Sequence, residues 1–132
     1  MACFVSPNAG SGGGAELIHT DTIIPNYPLN YQNSTLVSNF INKVDNYTSL
    51  YFNVFERNAP SNNWCCGFIP TILFKDAVSK LQAVSTGTVY IVNNGEGYSL
   101  RIFGRNNIVY IGFSSNSGQQ GQNIEIDVYG IK

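Results

Sequence analysis

The chain has 132 residues, of which 11% are charged, and its net charge is -1; this length suits one domain with a single hydrophobic core. No run of basic residues is present to neutralise a phosphate backbone, and no apolar stretch approaches the roughly 18 residues of a membrane-spanning helix. Composition therefore excludes nucleic acid as a partner and membrane insertion, and because the N-terminus lacks the regions of a signal peptide, we expect synthesis in the cytoplasm.

The first 15 residues form a glycine-rich segment. They include Ser6, Pro7, Asn8 and Gly10, and they carry too few apolar side chains to build a core. Such a composition is typical of a flexible tether. We therefore predict that residues 1–15 are an N-terminal arm that orders only when something binds it.

Between residues 16 and 132, short apolar runs alternate with clusters of Asn, Gly, Pro and Ser, a pattern typical of an all-β domain. Residues 58–63 are predicted to form a loop, and Pro70 predicts an edge strand or a bulge because proline cannot donate to a sheet ladder. The apolar or alternating runs follow one another along the chain at 36–44, 47–57, 68–74, 88–92, 98–105, 108–113 and 124–132.

Two features of the second half complete the predicted fold. The spacing of apolar residues makes 76–84 the one helical candidate. Asn106-Asn107 predicts a two-residue hairpin turn between two alternating strands. Seven or eight strands with at most one short helix predict an antiparallel β-sandwich, jelly-roll-like in type, over residues 16–132.

Few residues of the chain suggest catalysis. His19 is the only histidine, so a triad of nucleophile, histidine and acid would have to use it. We interpret His19 instead as an ordinary polar residue at a strand end. The chain is accordingly predicted not to be an enzyme, and no catalytic residue is assigned.

The chain contains three cysteines, Cys3, Cys65 and Cys66. A disulfide between the two adjacent cysteines would form a strained ring, and we interpret all three as reduced thiols. They lack the spacing of a zinc site, and the acidic residues show no Asp-x-Asp spacing that would suggest calcium. Neither a metal site nor a cofactor is expected.

Trp64 is the only tryptophan, and it follows Asn62 and Asn63 at the end of the predicted loop. An aromatic ring among amide side chains suits stacking on a sugar ring with hydrogen bonds beside it. The alternative is that Trp64 covers the core beneath the loop. We take these three residues as the candidate ligand-binding site.

Four short segments carry a resemblance to a known family: residues 16–20, of the type Glu-Leu-Ile-x-Thr, then 51–55, 101–103 and the terminal Val-Tyr-Gly-Ile-Lys of 128–132. With them, the sequence from residue 16 onward resembles the small β-domains at the C-termini of phage tail and fibre proteins, common in phages and prophages of gut Firmicutes. The terminal Tyr-Gly-Ile-Lys is the most specific of the four.

The resemblance implies a virion structural protein. Domains of this kind are usually β-sandwiches, often homotrimers, exposed on the particle as structural pieces or as adhesins for host-surface glycans. Because the domain begins almost at the initiating Met, we expect a capsid or tail decoration protein, anchored to other virion proteins through the arm at Ser6, Pro7, Asn8 and Gly10. The alternative is a free carbohydrate-binding lectin.

Overall fold

A computed structural model describes residues 14–23, 35–56, 59–84, 86–93, 98–115 and 124–132 of the chain. The described part contains eight strands, one α-helix and two 3₁₀ segments. The strands are β1 (Ala15–Ile23), β2 (Thr35–Leu36), β3 (Ser49–Glu56), β4 (Ala59–Pro70), β5 (Thr86–Asn93), β6 (Tyr98–Arg105), β7 (Ile108–Ser115) and β8 (Ile124–Ile131). The helix is α1 (Thr71–Gln82), and the 3₁₀ segments are Val37–Asn39 and Ile41–Asn46.

The strands form two four-stranded antiparallel sheets. The first sheet has the order β1-β8-β3-β4, and the second has the order β2-β7-β6-β5. The predicted antiparallel β-sandwich is therefore confirmed. Long-range pairing dominates the first sheet, since the last strand of the chain lies between the first and the third.

The core lies between the two sheets, where alternate side chains meet. Along β8, buried and half-buried residues alternate without interruption, as expected for a strand with one inward face. The second sheet contributes Leu100, Ile102, Ile111 and Phe113, each almost completely buried. The first sheet contributes Leu50, Phe52, Val54, Ile124, Ile126 and Val128.

The helix differs from its prediction in position. The segment 68–74 was expected to be extended and 76–84 helical, whereas β4 ends at Pro70 and α1 begins at Thr71. Residues 71–74 were therefore assigned to the wrong element, and Phe74 among them continues the helical spacing and is fully buried. Its ring packs 6.0 Å from Phe40 and 5.8 Å from Phe52, so α1 closes one end of the core.

Two predictions about the chain before and after β3 are also wrong. The predicted loop at 58–63 is largely strand, since β4 already begins at Ala59. An edge strand tolerates this Asn-, Pro- and Ser-rich composition because only one of its sides is hydrogen-bonded, and the edge position predicted from Pro70 is confirmed. The apolar run at 36–44 is mostly 3₁₀ helix, with only its first residue in a strand.

The hairpin predicted at Asn106-Asn107 is confirmed. Both residues adopt positive φ, 53° and 66°, which the hairpin turn requires and which asparagine tolerates. The Asn107 side chain also donates a hydrogen bond of 2.8 Å to the carbonyl of Gln82, the last residue of α1. The turn thereby binds the end of the helix to the second sheet.

The end of β8 packs under an aromatic ring. A side chain at Gly130 would place its Cβ 2.4 Å from the ring of Tyr47, so this close approach requires glycine. The Tyr47 hydroxyl donates to Glu16 Oε2 at 2.8 Å, and Glu16 Oε1 lies 3.0 Å from Lys132 Nζ. These two hydrogen bonds, the Tyr47 bond first, hold the pKa of Glu16 below its usual range. Contacts within the folded protein therefore explain both Gly130 and Lys132 at the end of the chain.

The two adjacent cysteines have different states. Cys65 is a free, fully buried thiol, and burial raises its pKa to about 11. Cys66, in contrast, is disulfide-bonded. The prediction of reduced thiols is therefore wrong for Cys66. Successive residues of a strand point to opposite faces, which is why the two neighbours have different surroundings.

Candidate ligand-binding face

Four side chains form a continuous row across the outer face of the first sheet. Leu17 pairs with Tyr129, Tyr129 with Tyr51, and Tyr51 with Phe68, so the row crosses all four strands. We call these four residues the apolar row. Their neighbours along the strands, including Leu50, point into the core, which places the row on the opposite surface.

The apolar row is tightly packed at its centre and open at both ends. Tyr51 is 2% exposed, with its ring 4.6 Å from that of Phe68 and 6.3 Å from that of Tyr129. Burial raises the pKa of both Tyr51 and Tyr129. Leu17 and Phe68 are 53% and 49% exposed. The accessible apolar surface of the row therefore lies at its two ends, Leu17 and Phe68, and the buried Tyr51 ring packs against Phe68.

A row of polar residues lies beside the apolar row, two positions away along β3, β4 and β8 and three along β1, where the register shifts between Leu17 and His19. Thr20 pairs with Asp127, Asp127 with Asn53, and Asn53 with Cys66. Thr20 Oγ1 donates to Asp127 Oδ1 at 2.7 Å. Partial burial raises the pKa of Asp127, and the Thr20 hydrogen bond opposes that rise. We call Thr20, Asp127 and Asn53 the polar row.

The two rows together offer the chemistry that sugar recognition uses. Aromatic rings stack on the apolar C–H face of a sugar, and carboxylate, amide and hydroxyl groups accept or donate hydrogen bonds to its hydroxyls. The alternation of β8 positions Asp127 and Tyr129 on the same face, one strand pleat apart. The sequence showed this alternation, but the partners on β1, β3 and β4 depend on long-range pairing and were missed.

The predicted site residues Asn62, Asn63 and Trp64 lie on β4, the edge strand of the same sheet, and not in a loop. Asn63 pairs with Phe55, and the register is irregular at that point. The structure thus places all three on the strand that carries Phe68. The directions of their side chains fall outside what the structure describes, and their role in binding stays a prediction. Ser6, Pro7, Asn8 and Gly10 lie outside the described residues.

His19 makes contacts that the sequence reasoning did not anticipate. Its ring stacks on Phe40 at 5.1 Å, and Nε2 lies 3.4 Å from Thr35 Oγ1 and 3.7 Å from Asp21 Oδ2. Thr35 Oγ1 donates to Asp21 Oδ2 at 2.5 Å. The spacing of His19 and Asp21 on one strand, two residues apart, is the signal that could have indicated this cluster.

The geometry of this cluster suits a structural link better than nucleophilic catalysis. In a catalytic triad the nucleophile and the acid contact opposite nitrogens of the imidazole, whereas here Thr35 and Asp21 both lie beside Nε2. Thr35 is 2% exposed, so its hydroxyl is closed to a substrate. The cluster connects β1 of the first sheet with β2 of the second.

Within the described ranges, no three His, Cys, Asp or Glu side chains are grouped as a metal site would require. A search of the same residues finds no helix that is long and apolar enough to cross a membrane. No family model, curated protein or solved structure matches this chain. A function for this protein therefore has to be inferred from the geometry of its surface, above all from the outer face of the first sheet.

Proposed function

We propose that this chain is a phage virion component, a trimeric β-sandwich knob exposed on the capsid or tail that adheres to host or mucosal glycans. The observation that carries the adhesive role is the apolar row beside the polar row on the outer face of the first sheet. The rigid sheet holds the aromatic rings in place, so little conformational freedom is lost when a ligand binds.

Two further features support a virion location. The resemblance of residues 16–20, 51–55, 101–103 and 128–132 to the β-domains of phage tail and fibre proteins implies a place on the particle. The disulfide at Cys66 suits a protein that functions in an oxidising environment, such as the surface of a virion. Trimeric display on a particle would convert weak binding at each site into useful avidity.

The adhesive role is tested by the binding of purified protein to mucin and to a glycan array. Replacing Phe68 with alanine removes an exposed ring from the apolar row, and we expect binding about tenfold weaker because ring stacking contributes roughly this factor. Tyr90→Ala is the matched control, since Tyr90 is 51% exposed on the second sheet, against 49% for Phe68. If the parent protein and the Phe68→Ala variant bound glycans equally well, the outer face of the first sheet would be ruled out as the binding site.

The virion location is tested separately, by mass spectrometry of purified phage particles and by light scattering of the purified protein. We expect peptides of this chain in the particles and a mass in solution of three times the 14.5 kDa of one chain. Glycan binding by a protein that is absent from particles would instead favour the free lectin. That second candidate uses the same face and is supported by the same two rows.

A further inference from the structure

A cleft of about 410 Å³ lies at the start of α1, away from the outer face of the first sheet. One wall is the end of the second 3₁₀ segment, and the other is the first turn of the helix. The residues that line it are Asp45, Tyr47, Thr48, Thr71, Ile72 and Lys75. We call this space the α1 cleft. Its volume falls in the range of sites that hold small ligands.

The first turn of α1 presents hydrogen-bond donors without acceptors. Pro70 occupies the N-cap position and gives no side-chain cap, and the first turn carries no acidic residue. The Thr71 N–H donates to the Thr48 carbonyl at 3.0 Å, whereas the N–H groups of Ile72 and Leu73 have no acceptor within the helix. The positive end of the helix dipole therefore faces the cleft, and the first turn itself supplies no acidic side chain to offset it.

The Thr71 side chain provides a second, independent sign that the α1 cleft receives an acceptor. Thr71 is 6% exposed, and among the described residues its hydroxyl is the one buried side-chain group without a hydrogen-bond partner. Leaving a buried hydroxyl unpaired costs free energy, and such groups are usually satisfied by a partner, a water or a ligand.

Lys75 supplies a positive charge at the rim and already holds a carboxylate. Its Nζ lies 2.5 Å from Asp45 Oδ1, and the two side chains are 50% and 64% exposed. An ion pair this exposed is weak and exchanges readily with other ions. A carboxylate from outside could therefore take the place of Asp45.

We propose that the α1 cleft binds the carboxylate of a small acidic ligand, either an acidic sugar or the C-terminus of a peptide. The carboxylate accepts hydrogen bonds from the N–H groups of Ile72 and Leu73 and from the Thr71 hydroxyl, and it pairs with Lys75. Tyr47 and Ile72 give the cleft apolar contact surface. This site goes beyond the proposed adhesive face, which offers aromatic stacking and not an anion site.

The test is a titration of the ¹⁵N-labelled protein with sodium D-glucuronate, N-acetylglycine and D-glucose, followed by the amide signals of the first helical turn. We expect saturable shifts of the Ile72 and Leu73 amides with the two carboxylates and none with glucose. Tighter binding of glucuronate would identify a sugar as the source of the carboxylate, and tighter binding of N-acetylglycine a peptide. The absence of saturable shifts, or equal shifts with glucose, would overturn the proposal.

Three variants and a control assign the contacts. Asp45→Asn frees Lys75 and is expected to tighten binding about threefold, whereas Lys75→Met is expected to weaken it by a similar factor. Thr71→Val keeps the side-chain shape and is expected to weaken binding without loss of stability, because the hydroxyl has no partner in the free protein. Lys80→Met is the control, since Lys80 lies on the same helix and pairs with Asp76.

An Asp45→Asn variant that binds the carboxylates more weakly than the parent, or a Lys75→Met variant that binds them equally well, would contradict the proposed contacts. Phe68→Ala should leave the titration unchanged, because Phe68 does not line the α1 cleft. Failure of the adhesive face and failure of the α1 cleft are therefore distinguishable.

Discussion

Two residues at the C-terminus, Gly130 and Lys132, are explained by their contacts in the folded protein. Gly130 is glycine because the Tyr47 ring lies where a side chain would start, and Lys132 is held by Glu16. The sequence alone suggested that the last four residues, 129–132, are a family signature. It did not show why one of them, Gly130, has to be glycine. Gly130 and Tyr47 are more than 80 positions apart in the chain, so no local sequence pattern connects them.

The contact between Gly130 and Tyr47 makes a direct prediction about stability. Gly130→Ala forces the new Cβ against the ring, and we expect a loss of about 1–3 kcal/mol in the free energy of unfolding, as for other overpacked sites. Urea denaturation measures this loss. The double variant with Tyr47→Ala should show a smaller additional cost of the Gly130 change, because the clash is then absent. Equal costs in both backgrounds would contradict the contact.

The difference between Cys65 and Cys66 predicts a labelling pattern. Burial closes Cys65 to reagents and keeps its thiol protonated, since its pKa of about 11 lies far above neutral pH. Without reductant, we expect iodoacetamide to modify neither Cys65 nor Cys66 in the folded protein, and to modify Cys65 but not Cys66 after unfolding. Peptide mass spectrometry identifies the modified residue. Labelling of Cys66 in the unreduced, unfolded chain would contradict the disulfide.

Among the secondary-structure elements, the strands with regular alternation could be predicted from the sequence, whereas the start of α1 and the length of β4 could not. The hairpin of β6 and β7 and the inward face of β8 follow from local pattern, because one side of each strand is buried. The start of α1 was placed too late because Pro70 suggested continued strand beyond it. The length of β4 was missed because its composition is typical of loops and its stability comes from pairing with β3.

The link between the hairpin turn and the helix gives a prediction at this scale. Asn107→Ala removes the hydrogen bond to the Gln82 carbonyl and places alanine at a positive φ, so we expect a loss of about 1–2 kcal/mol in stability. Asn107→Gly loses the hydrogen bond but tolerates the φ angle, and its thermal unfolding should fall between the alanine variant and the parent. An alanine variant as stable as the parent would rule out this role.

For the whole molecule, the class of fold was predictable while the binding surface was not. Low charge, short alternating runs and frequent turns were enough to predict a sandwich. The apolar row, however, is assembled from four strands that are distant in sequence, and the position of Phe68 beside Tyr51 depends on how β3 and β4 pair. Trp64 was visible as an isolated aromatic residue, but its strand and the neighbouring rings were visible only in three dimensions.

The pairing of β1 with β8 has one more consequence. Ala15 lies directly opposite Ile131, so the chain enters and leaves the sandwich at the same point, with the two backbones about 5 Å apart. A short glycine linker could join these positions, and the chain could be opened at the exposed turn of Asn106 and Asn107 instead. The fold is therefore suited to circular permutation, and peptides joined directly at Ala15 and at Ile131 would start from the same side of the sandwich.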